Sequence, residues 1–184
     1  MLRSMYSKIT LLFVLATFFA VNETKAQWAI GATYENKQIS SDLSTSGFGL
    51  RIERDLKLPV PLIFLRTRAH YSYFRDSNSF SLDGIQYDDV SNYDFGVAAI
   101  AGVNIALLSP YAGFGIGLED YKIDGGDGQG SLSDEYYFQA MVGLGLNLLP
   151  VIQPFAELRY SGFNKREEIT DSQQRLMFGV ALRF

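Results

Sequence analysis

The chain ends in nine residues that alternate between large apolar side chains and others: Leu176-Met177-Phe178-Gly179-Val180-Ala181-Leu182-Arg183-Phe184. Every even position is large and apolar. Residues two apart share one face of a strand but point to opposite sides of a helix, so this pattern predicts a β-strand with one apolar face.

The same alternation recurs upstream. In Ala112–Leu118 the apolar residues alternate with glycine, and Phe138–Leu148 shows the same period. The longest apolar run, Phe95–Leu108, has 14 residues, contains several small residues and is too short for a transmembrane helix. The pattern predicts eight strands, at 27–38, 44–54, 62–75, 92–105, 110–122, 135–148, 153–164 and 173–184.

The first 26 residues have the layout of a secretory signal peptide. Arg3 and Lys8 are followed by 13 mainly apolar residues, and Thr24 and Ala26 occupy the −3 and −1 positions of a cut before Gln27. An N-terminal helical anchor is the alternative, but the apolar stretch is short for a membrane span. We therefore predict a signal peptide at 1–26 and a single domain at 27–184.

Composition excludes several classes of function. The 184 residues contain no Cys, which excludes disulfide scaffolds, thiol catalysis, Cys-ligated zinc and a lipoprotein anchor. His70 is the only histidine, so a multi-histidine metal site is excluded. Residues 27–184 hold 13 Lys and Arg against 19 Asp and Glu, which argues against nucleic acid as a partner. We predict no cofactor and no metal.

The distribution of charge between the two faces of the strands predicts the environment. If the apolar face of each strand points outward, none of the 37 outward positions is charged. In a soluble barrel the charges would lie outside, whereas a cationic side chain facing the bilayer midplane costs about 2–4 kcal/mol. The inward face holds the charged residues Glu35, Arg51, Glu53, Arg66, Arg68, Asp94, Glu119, Glu157, Arg159, Arg175 and Arg183.

The connections and the aromatic residues agree with a membrane barrel. Short, proline-containing turns join strands 2–3, 4–5 and 6–7, whereas strands 3–4, 5–6 and 7–8 are joined by longer polar loops. This asymmetry is typical of an up-and-down barrel that spans a membrane. Aromatic residues fall at both ends of the strands, where they would form interfacial girdles: Trp28 and Phe184 at the turn end, and Tyr34, Phe48, Tyr71, Tyr73, Tyr93, Phe138 and Tyr160 at the loop end.

The signal peptide, the eight alternating strands and the final strand ending in Phe184 resemble the small outer-membrane β-barrel family of Gram-negative bacteria, the OmpA/OmpX type. The resemblance implies an all-β fold, an eight-stranded antiparallel up-and-down transmembrane β-barrel in the outer membrane. Phe178, Val180, Leu182 and Phe184 look like the C-terminal signal that the barrel assembly machinery reads. The resemblance extends over 27–184 and is architectural, so it says little about activity.

Eight strands leave a lumen that side chains can fill. We expect Glu53 to lie near Arg66 and Glu157 near Arg183, in a structural charge network that blocks conduction. The alternative is a narrow gated channel for small solutes, whose ion pairs exchange partners. Inward glycines, such as Gly117 and Gly143, would leave room either for long side chains or for a small ligand.

The candidate chemistry is limited. His70 and Ser72 are spaced like part of the site of an outer-membrane lipid A deacylase, but they lie early in the chain and face the lumen in this register. Asp124 and Asp127 could offer oxygen ligands to calcium, although the spacing of a dedicated calcium loop is absent. Both pairs are better explained as ordinary interior or loop residues.

The predicted loops are acidic. Segments 39–43, 76–91, 123–135 and 164–172 hold twelve acidic residues against Lys165 and Arg166. The leading hypothesis is a non-enzymatic outer-membrane barrel with a structural or surface-interaction role, and a lipid A-modifying enzyme is the weaker rival. Its expected partners are outer-membrane lipids and lipopolysaccharide, the barrel assembly machinery and an extracellular partner at the loops.

Overall fold

The computed structural model describes residues 28–38, 44–56, 58–60, 62–76, 80–82, 85–87, 89–124, 130–148, 151–163 and 172–184. The predicted signal peptide at 1–26 lies outside the described residues, as does Asp127 of the calcium hypothesis.

The described residues form ten strands, and eight of them close into an antiparallel barrel. The predicted all-β fold with eight barrel strands is confirmed. The strands are β1 (Trp28–Gln38), β2 (Ser44–Leu56), β3 (Ile63–Asp76), β4 (Phe80–Leu82), β5 (Ile85–Tyr87), β6 (Asp89–Val103), β7 (Leu108–Asp124), β8 (Gly130–Leu146), β9 (Ile152–Phe163) and β10 (Ser172–Arg183). Around the barrel they are ordered β1-β10-β9-β8-β7-β6-β3-β2.

The additional strands, β4 and β5, pair only with each other, inside the segment 76–91 that was predicted as a loop. Each has three residues, too few for the alternation to be seen in the sequence. The two residues between them are Asp83 and Gly84, a pair that two-residue hairpins favour, and this was the available signal.

The register of the strands determines how the barrel is tilted. Following the paired residues around the barrel from Trp28 through Arg54, Thr67 and the remaining strands returns to β1 at Gln38, ten residues further along. With a rise of about 3.3 Å per residue and a strand spacing of about 4.7 Å, that offset corresponds to a tilt of about 40° from the barrel axis.

The two faces of the strands divide as predicted. All 37 predicted outward positions are exposed or half-buried, whereas the inward positions are mostly buried. Most of the large exposed apolar side chains lie on this outer surface, with Phe114 and Phe48 among the most exposed. The surface is apolar and the interior polar, which is the reverse of a water-soluble barrel.

Aromatic pairs support the predicted girdle at the loop end. The rings of Tyr34 and Phe48 meet edge to face across β1 and β2, with centroids 5.7 Å apart. Tyr73 and Tyr93 face each other across β3 and β6 at 5.0 Å. At the turn end the backbones of Trp28 and Phe184 are joined by two hydrogen bonds of 2.9 Å, which extends the β1–β10 seam to the last residue. No helix among these residues is long and apolar enough to cross a membrane.

The turn between β6 and β7 contains a strained residue. Ile105 and Leu108 form a two-residue hairpin around Ala106 and Leu107, and Ala106 has a φ of 51°. A side chain with a Cβ is disfavoured in this left-handed region, and hairpins with a positive φ at the first central position normally place glycine there.

We expect Ala106→Gly to stabilise the barrel by about 1 kcal/mol, because glycine removes the steric cost of the positive φ. Urea unfolding of the protein in lipid vesicles, followed by the mobility shift between folded and boiled protein on gels, measures this change. Ala101→Gly, on the outer face of β6, is the matched control and should destabilise by roughly 0.5–1 kcal/mol. Equal losses in both variants would contradict the strain at Ala106.

Candidate functional site: the barrel lumen

The eleven charged residues predicted to face the lumen all point into it. Ten are buried, and Arg183 is partly exposed at the turn end. A buried charge is costly unless it is paired and hydrogen-bonded, so the partners of these groups determine what the interior can do.

A first group of ion pairs, here called the lower cluster, consists of Arg51, Glu53, Arg66, Arg68 and Glu157. The Nε atom of Arg68 donates to Glu53 Oε1 at 2.7 Å, and its Nη1 donates to Glu157 Oε2 at 2.5 Å. Arg51 is also near both carboxylates, with Nε 3.1 Å from Glu53 Oε1 and Nη1 3.7 Å from Glu157 Oε2. The guanidinium groups of Arg51 and Arg68 thereby share the same two carboxylates.

Of the two ion pairs predicted from the sequence, Glu53 with Arg66 forms, whereas the prediction of Glu157 with Arg183 is wrong. Arg66 Nη1 lies 2.9 Å from Glu53 Oε2, as expected for residues on adjacent strands. Arg183 instead pairs with Asp55, because the β9–β10 register places Met177 opposite Glu157 and leaves Arg183 at the far end of β10. Glu157 is bound by Arg68 and by the Tyr111 hydroxyl, which donates at 2.7 Å.

A second group, the upper cluster, lies nearer the loops and consists of Glu35, His70, Asp94, Tyr137 and Arg175. Arg175 Nη2 donates to Asp94 Oδ2 at 2.8 Å, and Nη1 donates to Glu35 Oε2 at 3.3 Å. Asp94 Oδ1 accepts from the Tyr137 hydroxyl at 3.0 Å and lies 3.1 Å from His70 Nε2. Each carboxylate in this group has at least two partners.

Arg159 lies between the two clusters. It is opposite Arg175 in the β9–β10 register, and its Nη2 atom is 3.4 Å from Glu157 Oε1. Its Nε and Nη1 atoms are buried without a protein hydrogen-bond partner. Arg159 therefore joins the clusters electrostatically and is the least completely bonded of the buried arginines.

The loop-side end of the network contains Lys37, a residue that was missed in the sequence. Lys37 forms an ion pair with Glu119 and donates to Asn92 Oδ1 at 2.8 Å. Its Nζ also lies 5.0 Å from the centre of the Phe74 ring. Lys37 follows Glu35 by two residues, so the period alone places it in the lumen.

Asp55 was missed for a different reason. The second strand was predicted to end at residue 54, whereas β2 continues to Leu56. Asp55 Oδ1 accepts from Arg66 Nε at 2.5 Å, and Asp55 also pairs with Arg183. This carboxylate anchors the network at the turn end.

Uncharged polar groups cover one side of the lumen at its turn end. Gln153 Nε2 donates to Asn147 Oδ1 at 2.6 Å, Asn147 Nδ2 donates to Ser109 Oγ at 2.6 Å, and Ser109 Oγ donates to Asn104 Oδ1 at 2.7 Å. This series of hydrogen bonds runs from β9 to the β6–β7 turn and forms a floor across one side of the barrel mouth.

The inward glycines make room for neighbouring side chains. Gly143 is opposite Tyr111, and Gly117 is opposite Tyr137, in the β7–β8 register. A Cβ atom at either glycine would lie 2.2 Å from the facing tyrosine ring. Of the two explanations for these glycines, long side chains rather than a ligand occupy the space at these positions.

His70 and Ser72 have separate hydrogen-bond partners. Ser72 is fully buried and its hydroxyl donates to Glu35 Oε1 at 3.0 Å, whereas His70 contacts Asp94 and Tyr137. No hydrogen bond joins the two residues. Within the described part of the chain, no cluster of three or more His, Asp or Glu could hold a metal ion.

The four residues of the predicted assembly signal are on the outside of the barrel. Phe178, Val180, Leu182 and Phe184 project from β10 and its last residue and are between 45% and 68% exposed. They lie along the seam where the first and last strands close the sheet. Their recognition by the assembly machinery stays a prediction.

The sequence matches the model of a known protein family. The family model described as "Outer membrane protein beta-barrel domain" matches residues 9–184. No curated protein sequence matches the chain.

Several solved structures have the same fold. Neisserial surface protein A (NspA) is 20% identical with a TM-score of 0.63, covering 88% of this chain and 98% of its own. Ail, the attachment invasion locus protein of Yersinia pestis, is 17% identical with a TM-score of 0.58, covering 86% and 97%. The outer membrane enzyme PagL is 14% identical with a TM-score of 0.53, covering 84% and 98%. At these identities the likeness concerns the fold alone.

We expect Glu157→Gln to destabilise the barrel by about 3 kcal/mol, because it removes the carboxylate shared by several buried guanidinium groups. Asp55→Asn is the matched control: this carboxylate also holds two arginines, but it is partly exposed at the turn end, so its loss should cost less than about 1 kcal/mol. Urea titration in vesicles measures both values. If the two substitutions lower the free energy of unfolding equally, the lower cluster is no more shielded from water than the turn end of the lumen.

Proposed function

Because the chain belongs to the outer membrane protein β-barrel domain family and therefore resides in the outer membrane, we propose that it is a non-enzymatic barrel with a plugged lumen. Its role is structural or is carried by its surface loops. The observation that supports this proposal is a set of ion pairs that cross the full width of the lumen at successive heights.

Three of these pairs join strands on opposite sides of the barrel. Arg68 on β3 binds Glu157 on β9, Arg175 on β10 binds Asp94 on β6, and Lys37 on β1 binds Glu119 on β7. In the barrel order, the two strands of each pair are separated by three others in either direction. A contact between opposite walls must pass through the centre, which is where an ion or solute would travel.

Ring systems fill the space around these pairs. Phe74 is buried between Lys37 and Arg175, whose charged groups lie 5.0 Å and 4.8 Å from the ring centre. The Arg51 guanidinium lies 3.2 Å from the centre of the Phe155 ring. Planar guanidinium groups stack well on aromatic faces, which keeps these side chains in place as well as paired.

A gated channel is the alternative function. It would require the crossing pairs to open together, and a buried ion that loses its partner costs several kcal/mol. The two unbonded nitrogens of Arg159 favour some exchange of partners between the clusters, since they offer a carboxylate a second position to bind. A measurement of conductance separates the plug from the channel.

We expect the folded mature chain to give no stepwise current in a planar lipid bilayer. The matched variant carries Tyr111→Ala and Tyr137→Ala, which empties the space over Gly143 and Gly117 and should admit current if side chains are what blocks the lumen. Folding of both proteins is checked by the gel mobility shift on boiling. Reproducible openings of the unmodified protein would contradict the plug and favour the channel.

An enzyme that modifies lipid A is the weaker alternative, suggested by the fold of PagL. A lipid-modifying nucleophile must be reachable from the membrane, whereas Ser72 is buried in the lumen and hydrogen-bonded to Glu35. This geometry supports a structural role for His70 and Ser72.

We expect His70→Ala and Ser72→Ala to leave the lipid A profile of expressing cells unchanged, as judged by mass spectrometry. Ser161→Ala, another buried lumen serine, is the control for general effects of expression. Loss of a deacylated lipid A species in both His70→Ala and Ser72→Ala, but not in Ser161→Ala, would establish the enzyme.

The proposed partners follow from the location and the two ends of the barrel. Outer-membrane lipids contact the apolar outer surface, and lipopolysaccharide would meet the loop end. The acidic loops could share divalent cations with its phosphates or bind an extracellular partner. The barrel assembly machinery would read Phe184 and the alternating residues before it.

A further inference from the structure

The three short turns at one end of the barrel are unusually apolar. We call them the turn face, and it is formed by Leu58, Val60, Leu62, Ile105, Leu107, Leu148 and Val151. Each of these side chains is between 39% and 63% exposed. Turns that project into water are normally rich in Gly, Pro, Asn, Asp and Ser, and exposed apolar patches of this kind mark contact surfaces.

Two of the three turns, and the strand halves on both sides of them, carry no charge. There is no charged residue between Asp94 and Glu119, or between Glu135 and Glu157, and residues 58–65 are also uncharged. These segments include the complete turns β6–β7 and β8–β9 and the strand halves that lead to them. A turn that had to stay in water would gain solubility from a single Lys or Asp, and neither the β6–β7 turn nor the β8–β9 turn has one, whereas the β2–β3 turn has Lys57 at its start.

The apolar turns continue the surface that faces lipid. Ile63, Leu108 and Ile152 are the first strand residues after the three turns, and all three are exposed on the outside of the barrel. No polar residue on the outer surface separates them from Leu62, Leu107 and Val151, which precede them. The lipid-facing surface therefore passes without interruption onto the turn face.

The height of the lipid-facing band places the β2–β3 turn at the edge of the membrane. On β3 the band runs from Ile63 to Tyr73. At about 2.5 Å of axial rise per residue these positions span about 25 Å, which is the height of the apolar band of such barrels. Leu62 precedes Ile63 directly, so the turn begins where this band ends.

An interfacial pair marks the same level. Trp28 and Arg54 are paired across β1 and β2, with the guanidinium 5.5 Å from the centre of the indole ring. Tryptophan and a snorkelling arginine are typical of the boundary between acyl chains and headgroups. The turns lie at this level or slightly beyond it, within reach of the headgroup region.

We propose that the turn face lies within the lipid of the periplasmic leaflet, at the boundary of acyl chains and headgroups, rather than in periplasmic water. The inference deepens the proposed location in the membrane and does not depend on whether the lumen is plugged. The three turns lie at different points around the barrel mouth, between β2 and β3, β6 and β7, and β8 and β9. Lipid surrounds the barrel on every side, so it can cover all three turns at once.

The test uses tryptophan fluorescence, because Trp28 is the only tryptophan in the chain. In a Trp28→Phe background, Leu107→Trp and Leu148→Trp place single probes in two different turns. Phe114→Trp, on the exposed middle of the band, is the control for lipid contact, and Gln38→Trp at the loop end is the control for water. Each mature protein is folded into phosphatidylcholine vesicles with or without brominated acyl chains, and folding is verified by the gel shift.

We expect brominated lipid to quench both turn probes at least half as strongly as it quenches Phe114→Trp, with little effect on Gln38→Trp. Acrylamide in the water should show the opposite order. Probes in two separate turns keep the test valid if one variant does not fold.

Two outcomes would overturn the proposal. If acrylamide quenches the turn probes as strongly as Gln38→Trp and brominated lipid does not, the turns lie in water and await a periplasmic partner. If neither quencher acts until the protein is diluted with excess lipid, a second copy of the chain covers the turn face.

Discussion

The constraint on which the rest of this structure depends is that lipid cannot hydrogen-bond to the backbone. A sheet in a membrane must therefore close on itself, and here β1 pairs with β10 over ten residue pairs. Closure of eight strands with an offset of ten residues gives a backbone cylinder about 16 Å across. An arginine and a glutamate extended toward each other from opposite walls span about that distance. The crossing pairs follow from the width that closure imposes.

The same width explains the distribution of large and small residues inside. Where a tyrosine lies over its neighbour on the adjacent strand, that neighbour is glycine, as in Tyr111 with Gly143 and Tyr137 with Gly117. The ring covers the glycine backbone and sends its hydroxyl to a carboxylate, Glu157 in one case and Asp94 in the other. Each tyrosine therefore fills space next to the wall and completes the hydrogen bonding of a charge in the centre.

Alternation in the sequence was enough to predict which residues face the lumen, because the period of a strand assigns each side chain to one of two faces. It did not predict which lumen residues meet. Glu157 was expected to bind Arg183 on the adjacent strand, but its partner Arg68 is 89 residues away in sequence and on the opposite wall. Opposite partners depend on the offset at closure, which is a property of all eight registers together. The errors at strand ends had a simpler origin. Asp55 was not assigned to the lumen because the second strand was predicted to end one residue before it, at 54. The β4–β5 hairpin was not predicted because strands of three residues are too short to show the alternation.

The two ends of the barrel differ in a way that determines its depth in the membrane. The loop segments carry twelve acidic residues and so must remain in water, whereas the turns carry exposed leucine, isoleucine and valine. Movement of the barrel toward the periplasm would bring the acidic loops toward the acyl chains, and movement outward would place Arg54, on the outer face of β2, deeper in lipid. Neither end needs a protein anchor for this to hold. The three crossing ion pairs connect opposite walls of the barrel at different heights. They hold the barrel together as one rigid unit, so the acidic loops at one end and the apolar turns at the other fix its depth jointly.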